Sequence, residues 1–271
     1  MFKDGFNKNI YYRYFQADNA IANVFAIHGL GGHCMWFDKG AKLFNKNNIS
    51  FFSFDLPGFG QSKFERGYID SYNEWVSASK DILWWFLNNF GINKPVFVLG
   101  HSMGALVALV LSLNVKTNGW ILPVPGFKGT DECFPFLGFV LPMLNKAFIN
   151  PKGPITVPFG PELLTKNKET QLLLKKDPRR VINISARVYF QVFLLSKKAV
   201  SICSEFTEPL LMLIAGEDKI CSNEAMQKCF NEIKSENKTK KEYENSYHDL
   251  FVEDVLETVV NDITKWIKKR I

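Results

Sequence analysis

Residues 96–111, VFVLGHSMGALVALVL, run apolar into a Gly-x-Ser-x-Gly pentad and leave it through small and apolar residues. The pattern reads as a buried strand that turns sharply into a helix. Few turns achieve this. A side chain two residues before or after the turn residue would crowd the neighbouring backbone, so glycine is required at 100 and 104. The turn lifts the hydroxyl of Ser102 above the end of its strand, where open α/β sheets place their sites. The helix beyond the turn offers free backbone N–H groups and the positive end of its dipole. Small Ala105 and Ala108 let that helix lie close to the sheet. Ser102 is therefore a candidate nucleophile.

The same pattern recurs along the chain. Residues 22–29, 49–60, 94–100, 119–126 and 209–216 are short apolar runs that end at or near glycine. Buried parallel strands look like this. Residues 9–16 alternate loosely and read as an early strand, and residues around 240–246 as a last one. Helical periodicity lies between them. Ser71 and Glu74 form a capping box, Tyr72, Trp75, Ile82, Leu83, Phe86, Leu87 and Phe90 mark one face, and Gly91 ends the helix. A last helix is expected over about 250–269. Strand–helix alternation implies an α/β fold with a mostly parallel sheet covered on both faces. Prolines at 125, 135, 142, 151, 154, 158 and 161 break the pattern, and helical spacing resumes over about 179–200. The expected organisation is a core made of 1–124 and 207–271, with 125–206 as a helical cap inserted late in the sheet.

A serine hydroxyl needs a base. Of the four histidines, His101 adjoins Ser102 and would point elsewhere, and His28 ends a strand. His248, in NSYHDLF, lies downstream of the serine and just before the last helix. In the order serine, acid, histidine, only His248 fits. The imidazole in turn needs an orienting carboxylate. Asp218 comes after the strand 209–216 in GEDKI. Glu217 is its rival, and Asp249 is too near His248 in sequence to fold back easily. Two N–H donors should face the developing oxyanion. One is the backbone N–H of Met103, and the other is expected from HGLGG, 28–32, at Leu30.

Composition narrows the alternatives. The formal net charge is +6, but the basic residues are scattered in short clusters, with no dense stripe or known module for nucleic acid. The five cysteines, 34, 133, 203, 221 and 229, form no CxxC pair and no zinc spacing, as suits free thiols in a reducing compartment. The first fifteen residues lack the apolar stretch of a signal peptide, and no run is long enough to span a membrane. A cytoplasmic protein without metal or cofactor is expected.

Taken together, HGLGG (28–32), DLPGFGQS (55–62), GHSMG (100–104), GEDKI (216–220) and YHDLF (247–251) resemble the α/β-hydrolase superfamily. Within it they are similar to the monoacylglycerol lipase and lysophospholipase group, which overlaps with serine aminopeptidases. Residues 175–199 look like the cap segment of that group. The resemblance implies Ser102 as nucleophile, Asp218 as acid, His248 as base, and Leu30 and Met103 as oxyanion donors. Ala105 stands where many members carry glycine.

The segment 133–148, CFPFLGFVLPMLNKAF, is dense in large apolar side chains. Phe134, Leu137, Leu141, Leu144 and Phe148 form a seam at helical spacing. Phe136, Phe139 and Met143, which extend the apolar surface, are candidate substrate-binding residues. Such a helix wants burial or lipid. The expectation is a serine hydrolase that cleaves carboxylic esters with a hydrophobic acyl group, monoacylglycerol- or lysophospholipid-like, with at most transient contact with a membrane surface through the cap. Two other readings stay open: an aminopeptidase or thioesterase on the same three residues, and a ligand-binding fold without catalysis. Residues 125–206 hold more Lys and Arg than Asp and Glu, which argues against an ammonium-binding peptidase site.

Overall fold

In the computed structural model, residues 1–91 and 93–271 are described, with the backbone alone at Phe136 and Leu137. The strands are β1 (Phe2–Asn7), β2 (Ile10–Phe15), β3 (Ala22–Ile27), β4 (Ile49–Phe54), β5 (Val96–Gly100), β6 (Gly119–Pro123), β7 (Pro154–Thr156), β8 (Asn183–Ser185), β9 (Leu210–Ala215) and β10 (Lys238–Tyr243). The helices are α1 (Asp38–Lys46), α2 (Asn73–Asn89), α3 (Met103–Leu111), α4 (Leu141–Ile149), α5 (Pro161–Leu164), α6 (Lys168–Lys176), α7 (Ala186–Cys203), α8 (Asn223–Glu232) and α9 (Leu256–Lys268). Eight strands form one sheet in the order β1-β2-β4-β3-β5-β6-β9-β10, and β7 pairs with β8 apart from it. The two contacts of β2 are antiparallel, and the rest of the large sheet is parallel.

Adjacent residues in a strand face opposite sides of a sheet, and the phenylalanines use both. Phe25 lies opposite Phe52 and Val98 in the neighbouring strands. Its ring stacks on Phe52 at 5.5 Å, and Phe52 meets Phe86 of α2 at 4.6 Å. One residue back, Val24 lies opposite Phe51 and Phe97. Phe51 stacks on Phe44 of α1 at 5.2 Å, and Phe97 meets Trp266 of α9 at 5.7 Å. So α2 covers one face while α1 and α9 cover the other. Each side chain that these stacks bury contributes about 1.5–3 kcal/mol by transfer from water. Much of the phenylalanine excess is spent here.

The chain passes from β3 to β4 on one side and then crosses to β5 on the other. That reversal opens a crevice at the C-terminal ends of β3 and β5, the usual position for a site in a sheet of this kind. Between β6 and β9 the chain makes a long excursion that carries α4 to α7 and the β7–β8 pair. Among the described residues no helix is long and apolar enough to cross a membrane.

Several elements differ from the sequence pattern. The edge strand β1 and helices α1 and α8 were not legible. β1 is largely exposed and so lacks apolar alternation. α1 buries only Gly40, Ala41 and Phe44. α9 begins at Leu256 rather than near 250, because the preceding residues turn: Phe251 N–H bonds Asp249 Oδ1, and Leu256 N–H bonds Glu253 O. α7 begins at Ala186 rather than 179, capped by Ser185 Oγ, which accepts from Val188 N–H. The seam expected over 133–148 is only partly the inward face: Phe134 and Leu144 pack against the core, Leu141 and Phe148 do not, and the side chain of Leu137 lies outside the described residues. Residues 136–140 form a π-helical turn in which Val140 N–H reaches Pro135 O, five residues back. α4 follows this wider turn directly. Met143 and Ala147 face inward, while Leu141 and Phe148 face outward, Phe148 with 73% of its surface exposed.

Removing the ring that joins the strand stack to α2 tests the two-sided aromatic core. Phe52→Ala should cost about 3–5 kcal/mol of unfolding free energy, read as a lower denaturant midpoint at unchanged slope. A loss under about 1 kcal/mol would contradict this packing.

Candidate active site

The site begins with backbone strain. Ser102 sits at φ +56°, ψ −115°, in a region L-residues rarely occupy. Its neighbours make this feasible. A Cβ on Gly100 would lie 2.3 Å from Gly104 O, and a Cβ on Gly104 would lie 2.3 Å from Ile27 O. Both glycines are thus required by close backbone approach, which brings α3 against the end of β3. Ser102 N–H bonds Pro123 O at the end of β6.

Three side chains from loops far apart in sequence converge there. Ser102 Oγ–H donates to His248 Nε2 at 2.9 Å, and His248 Nδ1–H donates to Asp218 Oδ2 at 2.7 Å. The other oxygen of Asp218 accepts from Ile220 N–H and Cys221 N–H at 2.8 and 2.9 Å. The carboxyl is thereby fixed through both oxygens. Glu217 points away and pairs with Lys166. Asp249 also turns aside, with its Oδ1 3.4 Å from His101 Nε2. Burial alone would lower the pKa of His248. The charge and hydrogen bond of Asp218, with the charge of Asp249 behind them, outweigh burial and hold it above its ordinary value. His101, buried beside it, is pushed down. The arrangement can deprotonate the serine as it attacks an electrophile and return the proton to a leaving group.

Burial also drives His28 down to about 4. Its Nδ1–H donates to Gly29 O and its Nε2 accepts from Leu56 N–H, so a neutral ring braces the 28–32 loop. Gly29 brings that loop against Ser102, and Leu30 faces the same cavity as Ser102 and Met103. Among the described residues neither Leu30 N–H nor Met103 N–H has a protein acceptor. Two backbone N–H groups without a protein acceptor thus belong to residues that line the cavity with Ser102.

A cavity of about 740 Å³ opens from Ser102. That is within the range that holds small organic ligands. Phe139 and Met143 line it; the side chain of Phe136 lies outside the described residues. Sequence reasoning missed much of the wall. Tyr189, Val192, Phe193, Ser196 and Val200 all face the cavity from α7. Their spacing of three and four was a readable signal.

Among the described residues, Asp218, Cys221 and His248 present ligand atoms within 4.8 Å of one another. They fit a metal poorly. Both imidazole nitrogens are engaged by Ser102 and Asp218, and burial pushes the Cys221 thiol up, away from the thiolate that binds metals. All five cysteines are free and buried.

The profile of the family described as "Serine aminopeptidase, S33" matches residues 18–255. The chain is 28% identical to a monoglyceride lipase of Rattus norvegicus over 267 residues, covering 92% of this chain and 83% of that one. It is also 28% identical to phospholipase YtpA of Bacillus subtilis over 251 residues, covering 90% and 94%. The crystal structure of a Paleococcus ferrophilus monoacylglycerol lipase superposes with a TM-score of 0.85 at 24% identity, covering 97% of this chain and 99% of that one. A soluble variant of monoglyceride lipase from Saccharomyces cerevisiae gives 0.85 at 20% identity, covering 100% and 96%. The fold is that of the α/β-hydrolases.

The raised His248 sets the sign of a pH test. The base works when neutral, so covalent labelling of Ser102 by a fluorophosphonate should rise with pH through a midpoint above about 6.5. Labelling rates measured from about pH 5 to 8 locate that midpoint; a value below the ordinary one would contradict the Asp218 pairing.

Proposed function

The chain belongs to the serine aminopeptidase, S33, family, and on that premise we propose that it is a serine hydrolase of carboxylic esters with a hydrophobic acyl group, monoacylglycerol- or lysophospholipid-like. One observation carries the reading: the Ser102 hydroxyl, hydrogen-bonded to His248, opens into a cavity walled by Leu30, Leu106, Phe139, Met143, Tyr189 and Val192. An acyl chain placed there leaves water, which contributes about 0.8 kcal/mol per CH₂. The relatives named lipases and phospholipase support the same class.

In this mechanism Ser102 Oγ attacks the ester carbonyl while His248 Nε2 takes its proton. Asp218 holds the imidazole in the required tautomer and stabilises the imidazolium. The oxyanion is met by the N–H groups of Leu30 and Met103. His248 then protonates the departing alcohol and an acyl-enzyme remains. Water, deprotonated by the same imidazole, releases the acid. The chemistry needs no cofactor or metal. We take the excursion over 125–206 to act as the cap that shapes the acyl pocket. Its exposed Phe148, Ile149, Leu172 and Leu173 suit brief contact with a lipid surface. The free buried thiols suit a reducing, cytoplasmic setting.

A peptidase that trims N-terminal residues would need carboxylates to hold an ammonium group. The charged residues on the cavity are Lys128, Lys197 and Lys228 against Asp131 and Glu232, with no acidic excess.

Ser102→Ala should lower turnover of p-nitrophenyl esters by about 10⁴- to 10⁶-fold without lowering the melting temperature. Retained activity would refute Ser102 as nucleophile. Across a panel of monoacylglycerols, lysophospholipids, short esters, thioesters and aminoacyl amides, medium or long acyl esters should turn over fastest. A sharp preference for acetyl esters would overturn the lipid reading, and a protein that binds esters without turning them over would favour a binding role.

A further inference from the structure

His248 lies in a stretch, residues 244–255, that has neither strand nor regular helix between β10 and α9. Such a segment does not hold a buried ring in place by its own backbone ladder, so its buried N–H groups need partners elsewhere. The N–H of Tyr247, one residue before the histidine, finds Glu253 Oε1 at 2.7 Å. The same carboxyl is gripped by the excursion. Thr165 Oγ1–H donates to Glu253 Oε2 at 2.8 Å, and Lys166 N–H lies 3.1 and 3.2 Å from the two oxygens. Thr165 and Glu253 are both buried.

Two further bonds act in the same place. Asp249 N–H, one residue after the histidine, donates to Leu164 O at 2.8 Å. Lys166 Nζ pairs with Glu217 Oε1 at 2.6 Å, beside Asp218, and Glu217 N–H bonds Ser246 O. Residues 164–166, where α5 ends and α6 has yet to begin, thus hold the histidine loop on both sides of His248 and also touch the acid loop.

We propose that Glu253 is a positioning residue of the Ser102–His248–Asp218 relay, tying the histidine loop to Thr165 and Lys166 of the excursion. The proposal rests on the hydrolase reading above. A carboxyl enclosed by protein is costly unless its donors are well placed. Here three donors from two segments meet it, and two of them come from the part of the chain that walls the cavity. If the carboxyl is lost, the N–H of Tyr247 loses its acceptor and the loop can relax. The His248 Nε2 to Ser102 Oγ distance is 2.9 Å. A hydrogen bond lengthened past about 3.6 Å is no longer one, and a displacement of about 1 Å can cost up to about 10²-fold in rate. Glutamine would retain one acceptor but bring an amide N–H toward backbone N–H groups. It is tolerated only if Thr165 reverses its hydroxyl toward Val252 O, which lies 3.2 Å away.

The test compares Glu253→Ala, Thr165→Val and Thr165→Ser with the intact chain, on an ester substrate and a fluorophosphonate, well below each melting temperature. Glu253→Ala should lower kcat and the labelling rate by about 10- to 100-fold with KM within about twofold, because the cavity is untouched. Thr165→Val should lower kcat less, and Thr165→Ser, which keeps the hydroxyl, should restore it. The far-downfield proton resonance of the His248–Asp218 bond should broaden in the two impaired variants. A merely stabilising carboxyl would lower the melting temperature and leave kcat and that resonance alone, and this result overturns the proposal. So does a loss carried by KM. Should Glu253→Ala fail to fold, the Val–Ser pair decides: a hydroxyl-dependent kcat supports the tie, and equal kcat values overturn it. An intact chain whose Ser102 neither labels nor turns over esters would instead refute the hydrolase reading.

Discussion

Ser102 is held with a positive φ because two glycines let three pieces of backbone touch. Gly104 brings α3 against the end of β3, and Gly100 lets β5 close beneath the same turn. Larger side chains would push these elements apart, and the hydroxyl would swing away from the crevice. The other parts of the site are aimed at this one fixed oxygen. Rare backbone conformations of this kind cost of order 1–3 kcal/mol and persist only where the surroundings over-determine them. Here the surroundings are the wholly buried strands β3, β5 and β6.

That rigidity comes from a division of labour among apolar residues. The large rings sit on both faces around β3, β4 and β5, where Phe25, Phe52 and Phe86 stack on one side and Phe44, Phe51 and Phe97 lie on the other. Small residues take over where elements must approach closely, as in Ala105 and Ala108 of α3, both wholly buried. The sheet is thus stiff under its C-terminal edge. The loops at that edge are not part of the ladder and depend on individual hydrogen bonds. Asp218 fixes its own loop through Ile220 and Cys221, and His28 fixes the 28–32 loop through Gly29 and Leu56.

The excursion does two things in this picture. It walls the cavity with apolar side chains from α4 and α7, and it reaches the histidine loop through residues 164–166. Leu164 O accepts from Asp249 N–H, and Thr165 Oγ1–H and Lys166 N–H donate to Glu253, so the segment that walls the cavity also touches the loop that carries His248. The π-helical turn at 136–140 belongs to the same segment. It leads directly into α4, whose Met143 faces the cavity while Phe148 and Ile149 face outward.

The chain alone determined the buried parallel strands of the sheet and the turns that close them. Continuous apolar runs closed by glycine have few other homes, and chain order left Ser102, Asp218 and His248 as the natural set, though Glu217 was a live rival for the acid. The exposed edge strand β1 and the weakly apolar α1 and α8 stayed hidden, because periodicity is visible only where one face is well buried. What only the tertiary structure decided are the choices made by distance across the sequence. Glu217 turns out to a lysine while Asp218 turns in, Asp249 faces His101, and α7 supplies the wall opposite Ser102. Glu253 meets Thr165 across 88 residues. Local pattern says which side chains can be buried. Which of two adjacent carboxyls meets an imidazole depends on where another loop ends, and that information is spread over the whole fold.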